Sequence, residues 1–338
     1  MKRLTPAAAI AILSLLAALA AGCGGGDDES EDAAQQQSRR ITVGIDIPFH
    51  PLFNYVVGKK DEYFADKPYT VTFRFLDATT QVPSFGKGEL DVMTTPPSFI
   101  PRVMSQYGIK PVLFFPLARW TPGPEILVPK DSPLSSLADL EGKRVAVPPL
   151  QTRFGSEEAA IIAVTGQNIR EYFDIQETEA AAQQLTLGRV DAAFIEAPTT
   201  FPLLEGGKYK SIYSVQEAFR KALGDPAVVN GGYIARKEFI AANRDFVDDL
   251  IAATQDAWNR YQENPDEVNA VASEVSGIPP EQLELVGKVL NLEDMPENLR
   301  RITPQDLETW KKLFPLLQKS GFIAEAPKIV EELFVVTR

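Results

Sequence analysis

With one cysteine and one histidine, the chain has little nucleophilic or metal chemistry open to it. His50 cannot build a multi-histidine metal site. A Ser–His–Asp relay would have to run through His50, and no G-x-S-x-G turn is present to raise a serine. The residues suited to chemistry are ones that hold a molecule rather than cut it. Arg153 offers a planar guanidinium for bidentate capture of an anion, within Gln151-Thr152-Arg153-Phe154-Gly155-Ser156 and ahead of a helical run opening Glu157-Glu158. Thr94, Thr95 and Ser98 place hydroxyls around Pro96-Pro97, where the amides of a helix N-terminus can meet an anion. Asp46, Phe49 and His50 share one proline-bounded loop. Phe49 and Phe154 suit pocket walls, structural or stacking. Arg119, beside Trp120, either braces a crossover or touches a ligand. Glu196 is ambiguous: it repels a plain anion unless it turns outward or pairs with Arg153, and it suits an amine-bearing ligand. Neither a cofactor nor a metal is expected.

These residues need elements to position them, and the pattern supplies two similar sets. Ile41–Ile47 is a β-branched strand signal closed by Pro48, and Val71–Leu76 alternates. Gly88-Glu89-Leu90-Asp91 then makes a turn into a short buried strand, with Thr95 as the expected N-cap and Pro96 as the first helical residue. The plan recurs: Lys143–Val147 is a strand closed by Pro148-Pro149, and Gly188-Arg189-Val190-Asp191 leads into Ala192–Ile195. The two G-x-[LV]-D turns lie 100 residues apart. Ser156 is the expected N-cap of the helix that follows Arg153. Strand–helix alternation of this kind implies α/β units with mostly parallel sheets. In such sheets ligands lie beyond the carboxyl ends of strands, which is where Asp46–Pro51, Thr94–Ser98, Gln151–Ser156 and Glu196–Pro198 all fall. Phe239 to Tyr261 repeats apolar residues at helical spacing as one long helix, and Pro280–Leu290 and Pro304–Lys319 follow. These C-terminal helices are expected to return to the first lobe.

The ends bound the compartment. Lys2-Arg3 precedes the apolar run Pro6–Ala21, too short to cross a bilayer comfortably and patterned as a secretory signal. Leu19-Ala20-Ala21-Gly22-Cys23 resembles a bacterial lipobox, with alanine at position 20 where leucine is favoured. That resemblance implies a signal peptide over 1–22 and a diacylglycerol on Cys23. Residues 23–38, GlyGlyGly followed by acids and glutamines after the cysteine, have too little apolar surface to fold and read as a tether. With Cys23 lipidated, the body carries no disulfide. The net charge is −12, or −14 once Lys2 and Arg3 are removed with the signal, which argues against nucleic acid as a partner.

Ile126-Leu-Val-Pro-Lys-Asp-Ser-Pro-Leu134, Leu137-Ala-Asp-Leu-Glu-Gly-Lys-Arg-Val-Ala-Val147 and Gly231-Gly-Tyr-Ile-Ala-Arg-Lys-Glu-Phe239, with the Gly88 and Gly188 turns, resemble type II periplasmic binding proteins. The subgroup is the one that takes nitrate, sulfonates and taurine, and also pyrimidine precursors of thiamine. The resemblance implies an α/β two-lobe Venus flytrap, with lobe 1 over 39–120 and 231–338 and lobe 2 over 121–230. It implies a monomeric, membrane-anchored extracytoplasmic receptor that passes a small polar or anionic solute to an ABC permease with its cytoplasmic ATPase. Relatives of the fold also include a thiamine-pyrimidine synthase, whose cysteine-rich segment this chain lacks after Cys23, and dehydratases of menaquinone synthesis. An adhesin or sensor that kept the fold without its cleft is a third class.

Overall fold

The computed structural model describes residues 39–45, 50–76, 78–119, 125–150, 155–196, 199–225 and 227–336. Residues 38–338 form one compact unit; the expected signal, tether and lipidated Cys23 fall outside the described residues. The first half runs β1 (Arg39–Ile45), α1 (Pro51–Gly58), α2 (Lys60–Phe64), β2 (Tyr69–Phe75), α3 (Ala78–Gly86), β3 (Val92–Thr95), α4 (Ile100–Tyr107) and β4 (Pro111–Arg119). The second runs β5 (Glu125–Pro129), β6 (Arg144–Val147), α5 (Gly155–Thr165), α6 (Ile169–Tyr172), β7 (Asp174–Glu177), α7 (Ala181–Thr186), β8 (Ala192–Ile195), α8 (Thr200–Glu205), β9 (Tyr209–Ser214) and α9 (Val215–Leu223). The chain then returns through β10 (Val229–Arg236), followed by α10 (Lys237–Ala242), α11 (Arg244–Glu263), α12 (Pro265–Ser276), α13 (Pro280–Val289) and α14 (Pro304–Ser320).

Two five-stranded sheets result, ordered β2-β1-β3-β10-β4 and β7-β6-β8-β5-β9. The orders correspond strand for strand. In each sheet the first three strands pair in parallel, and the strand arriving from the other half, β10 or β5, pairs antiparallel with both neighbours. The sheets are therefore mixed, with four of five strands sharing a direction. The segment around Trp120 joins two strands of different sheets, and residues 120–124 lie outside the described residues.

The repeated G-x-[LV]-D turn has one physical job in both halves. Gly88 (φ 81°) and Gly188 (φ 66°) take left-handed conformations that terminate α3 and α7, a backbone state open to glycine at no steric cost. Three residues later the aspartate clasps the opening strand from both sides. Thr42 N–H donates to Asp91 Oδ2 at 2.8 Å, and Asp91 N–H donates to Thr42 O at 2.9 Å. The partner turn does the same, with Arg144 N–H to Asp191 Oδ2 at 3.0 Å and Asp191 N–H to Arg144 O at 2.9 Å. The turn thus fixes where the third strand enters, and so where its carboxyl end emerges.

The C-terminal helices divide their packing. α11, α12 and α13 lie against α1, on the first sheet's side. The expected single helix over Phe239–Tyr261 is broken at Asn243 (φ −129°, ψ 45°) into α10 and α11. α14 packs on α5 of the second half. Thr309 donates to Asp225 at 2.7 Å, and Lys312 and Lys319 donate to the carbonyls of Leu223 and Gly166. Just past its end, the Phe322 ring meets Phe99 edge-on at 5.4 Å. A Cβ at Gly155 would fall 2.3 Å from the same ring. One aromatic side chain thus touches the segments following β3 and opening α5.

Arg119 and Asp306 pin the base of this strap. Asp306 caps α14 reciprocally with Thr303, as the Thr303-Pro304 signal predicts. Its carboxylate also takes both terminal nitrogens of Arg119, at 2.6 and 3.0 Å, with both side chains buried. Removing one partner strands the other charge in a medium that cannot solvate it. Asp306→Ala is therefore expected to lower unfolding free energy by about 3–5 kcal/mol in urea denaturation; a loss below about 1 kcal/mol would mean that the pair does not anchor α14.

Candidate functional site

Strand direction locates the site edge. The carboxyl ends of β1, β3 and β4 are Ile45, Thr95 and Arg119, and those of β6, β8 and β9 are Val147, Ile195 and Ser214. Asp46, Phe49, Gln151, Thr152, Arg153 and Phe154 follow these ends but lie outside the described residues.

At the first edge, Thr94 and Thr95 end β3 as strand residues, paired with Tyr233 and Gly232 of β10. Thr95 is not the helix cap that its sequence suggests. The 3₁₀ turn Pro97–Phe99 and α4 start later, with Pro96 as the N-cap of that turn. Thr95 is fully buried, and its Oγ1 has no protein partner. Thr94 is set by Gln81 of α3: its N–H donates to Gln81 Oε1 at 2.6 Å, while Gln81 Nε2 donates to Leu76 O at 3.3 Å. Gln81 can lie this close because Gly44 has no side chain; a Cβ there would sit 2.6 Å from Leu90 and 3.0 Å from Gln81. Gln81 escaped the sequence reading, since a mid-helix glutamine carries no positional signal. Ser98 is buried inside the 3₁₀ turn.

His50 is the N-cap residue of α1. It is 1% exposed, and its Nε2 donates to the Leu117 carbonyl of β4 at 2.9 Å. Nδ1 is buried without a partner. Desolvation lowers its pKa from 6.5 to about 4, against the weaker opposing pull of the Leu117 carbonyl, so the ring is neutral near pH 7. Arg119 is a correction. All five of its N–H groups are spent inside the protein, on Leu299 O, Ala227 O, Arg301 O and the two oxygens of Asp306. A guanidinium has only five donors, so none is left for a solute.

At the second edge, Glu125 opens β5 opposite Ile195 and Ser214. The half-buried Glu196 follows Ile195 at the end of β8. Burial holds the Glu125 carboxyl above its usual range. Ser156 lies in the first turn of α5, which starts at Gly155, rather than ahead of it. Glu157 and Glu158 in the same turn are both buried, and desolvation raises Glu158 to about 7. The sequence reading passed over Glu125 and Glu158 because exposed and buried carboxylates look alike in a sequence. Among the described residues no group of three His, Cys, Asp or Glu side chains is placed to hold a metal ion. A groove of about 670 Å³ lined by Met104, Lys110, Val112, Lys237 and Lys328 opens at the amino end of β4, opposite the site edge.

Comparison with known proteins decides the family. The NMT1/THI5-like family model matches residues 54–268. The chain belongs to that family. Solved structures add the fold. The periplasmic sulfonate-binding protein SsuA from Methylobacillus flagellatus KT aligns at TM-score 0.67 and 18% identity, over 88% of this chain and 92% of its own. The alkanesulfonate-binding protein SsuA from Xanthomonas axonopodis pv. citri, bound to MOPS, aligns at 0.59 and 19%, over 88% and 98%. The desulfurization enzyme DSZB aligns at 0.59 and 13%, over 87% and 96%. No curated protein sequence matches the chain. The two-lobe α/β architecture of periplasmic binding proteins is thus the fold of this chain, and that fold carries both binding proteins and an enzyme.

The buried histidine generates a test. In the unfolded chain His50 takes up a proton near 6.5, and in the folded chain near 4. Its contribution to stability is complete above pH 6.5 and is lost as pH falls toward 4, by up to about 3 kcal/mol. Denaturation midpoints should therefore drop more steeply on acidification in the wild type than in His50→Gln; parallel pH profiles would contradict the buried neutral ring.

Proposed function

We propose that the protein is the solute-binding receptor of an ABC importer, exported and held to the membrane by a lipid on Cys23. It captures a small polar or anionic solute of the sulfonate or nitrate type and delivers it, as a monomer, to a permease driven by a cytoplasmic ATPase. The observation that carries this reading is the pair of sheets with one strand order, each crossed by a strand from the other. One apolar cluster, with Phe99 and Leu113 from the first half and Ile126 and Phe194 from the second, runs across both. Solute enters between the carboxyl edges, where Thr94, Thr95 and Ser98 come from one half and Glu196 from the other. Asp46, Phe49, His50, Gln151, Thr152, Arg153 and Phe154 complete the contacts, with Arg153 as the anion clamp. The bound MOPS of the Xanthomonas relative is itself a sulfonate, which supports that ligand class.

A binding role is favoured over catalysis by the residues at the edge. The one histidine is neutral and donates to a main-chain carbonyl, so it is not paired with a nucleophile. A second reading, an aminopyrimidine ligand, is favoured by two carboxylates at the second edge, Glu125 opening β5 and Glu196 following β8, since carboxylates accept from ring amines.

Thermal-shift and calorimetric titration against alkanesulfonates, nitrate, taurine and aminopyrimidines is expected to find at least one solute that stabilises the protein. Arg153→Ala should weaken an anionic ligand by about 1.5–3 kcal/mol, the worth of a charged hydrogen bond. Stabilisation by none of these solutes would contradict the receptor reading, and unchanged affinity in Arg153→Ala would remove that residue from the site.

A further inference from the structure

α14 ends in a turn that fixes one aromatic residue. Gly321 takes the left-handed conformation (φ 80°), and the Phe322 N–H donates to Leu317 O at 3.0 Å and to Ser320 Oγ at 3.3 Å. This is the closing geometry of a helix C-terminus, and it holds the Phe322 backbone in place. The ring beyond it is buried. It meets Phe99 edge-on at 5.4 Å. The Arg102 guanidinium stands 5.5 Å from the centre of the Phe99 ring and 5.1 Å from that of Phe322, within cation–π range of both. The same ring lies against Gly155, the first residue of α5. A Cβ there would come within 2.3 Å of ring atoms Cδ2 and Cγ, closer than two carbons can approach without one of them moving. No side chain fits at position 155 while the ring keeps its place.

The two contacts belong to different halves. Phe99 follows Ser98 directly, in the segment after β3, and Gly155 follows Gln151–Phe154, the segment after β6. Contact groups held in place before a solute arrives lose less freedom on binding it, and affinity rises accordingly. We infer that Phe322 is a positioning residue of the solute site: set between the segment after β3 and the start of α5, its ring fixes the spacing of the contacts that the two halves contribute. What those segments hold rests on the receptor reading; the coupling between them rests on packing alone.

Two measurements separate these parts. Hydrogen exchange of the solute-free protein reads the coupling. Phe322→Ala should speed exchange at 98–104 and 155–160, while α11, which packs in a separate apolar cluster, keeps its rate. Gly155→Ala, whose methyl displaces the ring, should alter exchange at 98–104 and lose that effect when combined with Phe322→Ala. Calorimetry with MOPS, the sulfonate bound by the Xanthomonas relative, reads the site. Its affinity should fall about tenfold or more in Phe322→Ala. Should Phe322→Ala fail to fold, Phe322→Leu takes its place in both measurements. Faster exchange spread evenly over α11 and the two segments marks a plain loss of stability and overturns the inference. So do additive effects of the two substitutions, or a MOPS affinity unchanged from wild type. If the wild type binds neither MOPS nor any solute named above, the receptor reading falls, and the exchange measurements still decide whether Phe322 couples the two segments.

Discussion

The buried pairing of Arg119 with Asp306 is the constraint around which the two halves are arranged. Arg119 ends β4, the last strand before the chain crosses to the second sheet, and lies opposite Val229, where the chain has come back. Its five donors gather the Ala227 carbonyl, the loop carbonyls of Leu299 and Arg301, and the cap of α14. The segments that lead into β10 and into α14 are therefore tied to one side chain. Such a pair adds little net stability over a well-packed apolar substitute. Its value lies in specifying one position for α14, because any other leaves a charge stranded.

From that pin the strap follows. α14 runs along α5 and α9, and Phe322 then reaches back to Phe99. The segments it touches are those that carry the proposed solute contacts, after β3 and before α5. The strap thus joins the second sheet's helices to the segment that follows β3 of the first. The repeated aspartate clasp works on a shorter scale, setting the emergence of β3 and β8 relative to β1 and β6.

Much of this was legible in the sequence wherever a local signal had a local cause. The two G-x-[LV]-D turns predict paired α/β units, because a left-handed glycine and an aspartate within reach of the neighbouring strand are decided within a few residues. Thr303-Pro304 marks the start of α14 for the same reason. What was not legible depends on distance. Arg119 reads as either a crossover brace or a ligand contact until Asp306, 187 residues on, is folded against it. Thr95 before two prolines reads as a cap, yet the strand pairing with Gly232 extends β3 through it. Asn243 interrupts an apolar periodicity that continues on both sides of it, so the pattern alone runs α10 and α11 together. The lobe that α14 covers is invisible to periodicity, which reports an apolar face without naming what it faces.

The solute's position is the central claim, and a crystal structure of the protein with its retained native ligand tests it most directly. The account predicts one small molecule per chain between the carboxyl edges of the two sheets, within hydrogen-bonding distance of Thr95 Oγ1. A ligand seated instead in the groove beside Lys110 and Lys237, or a dry and sealed space between the edges, would contradict it.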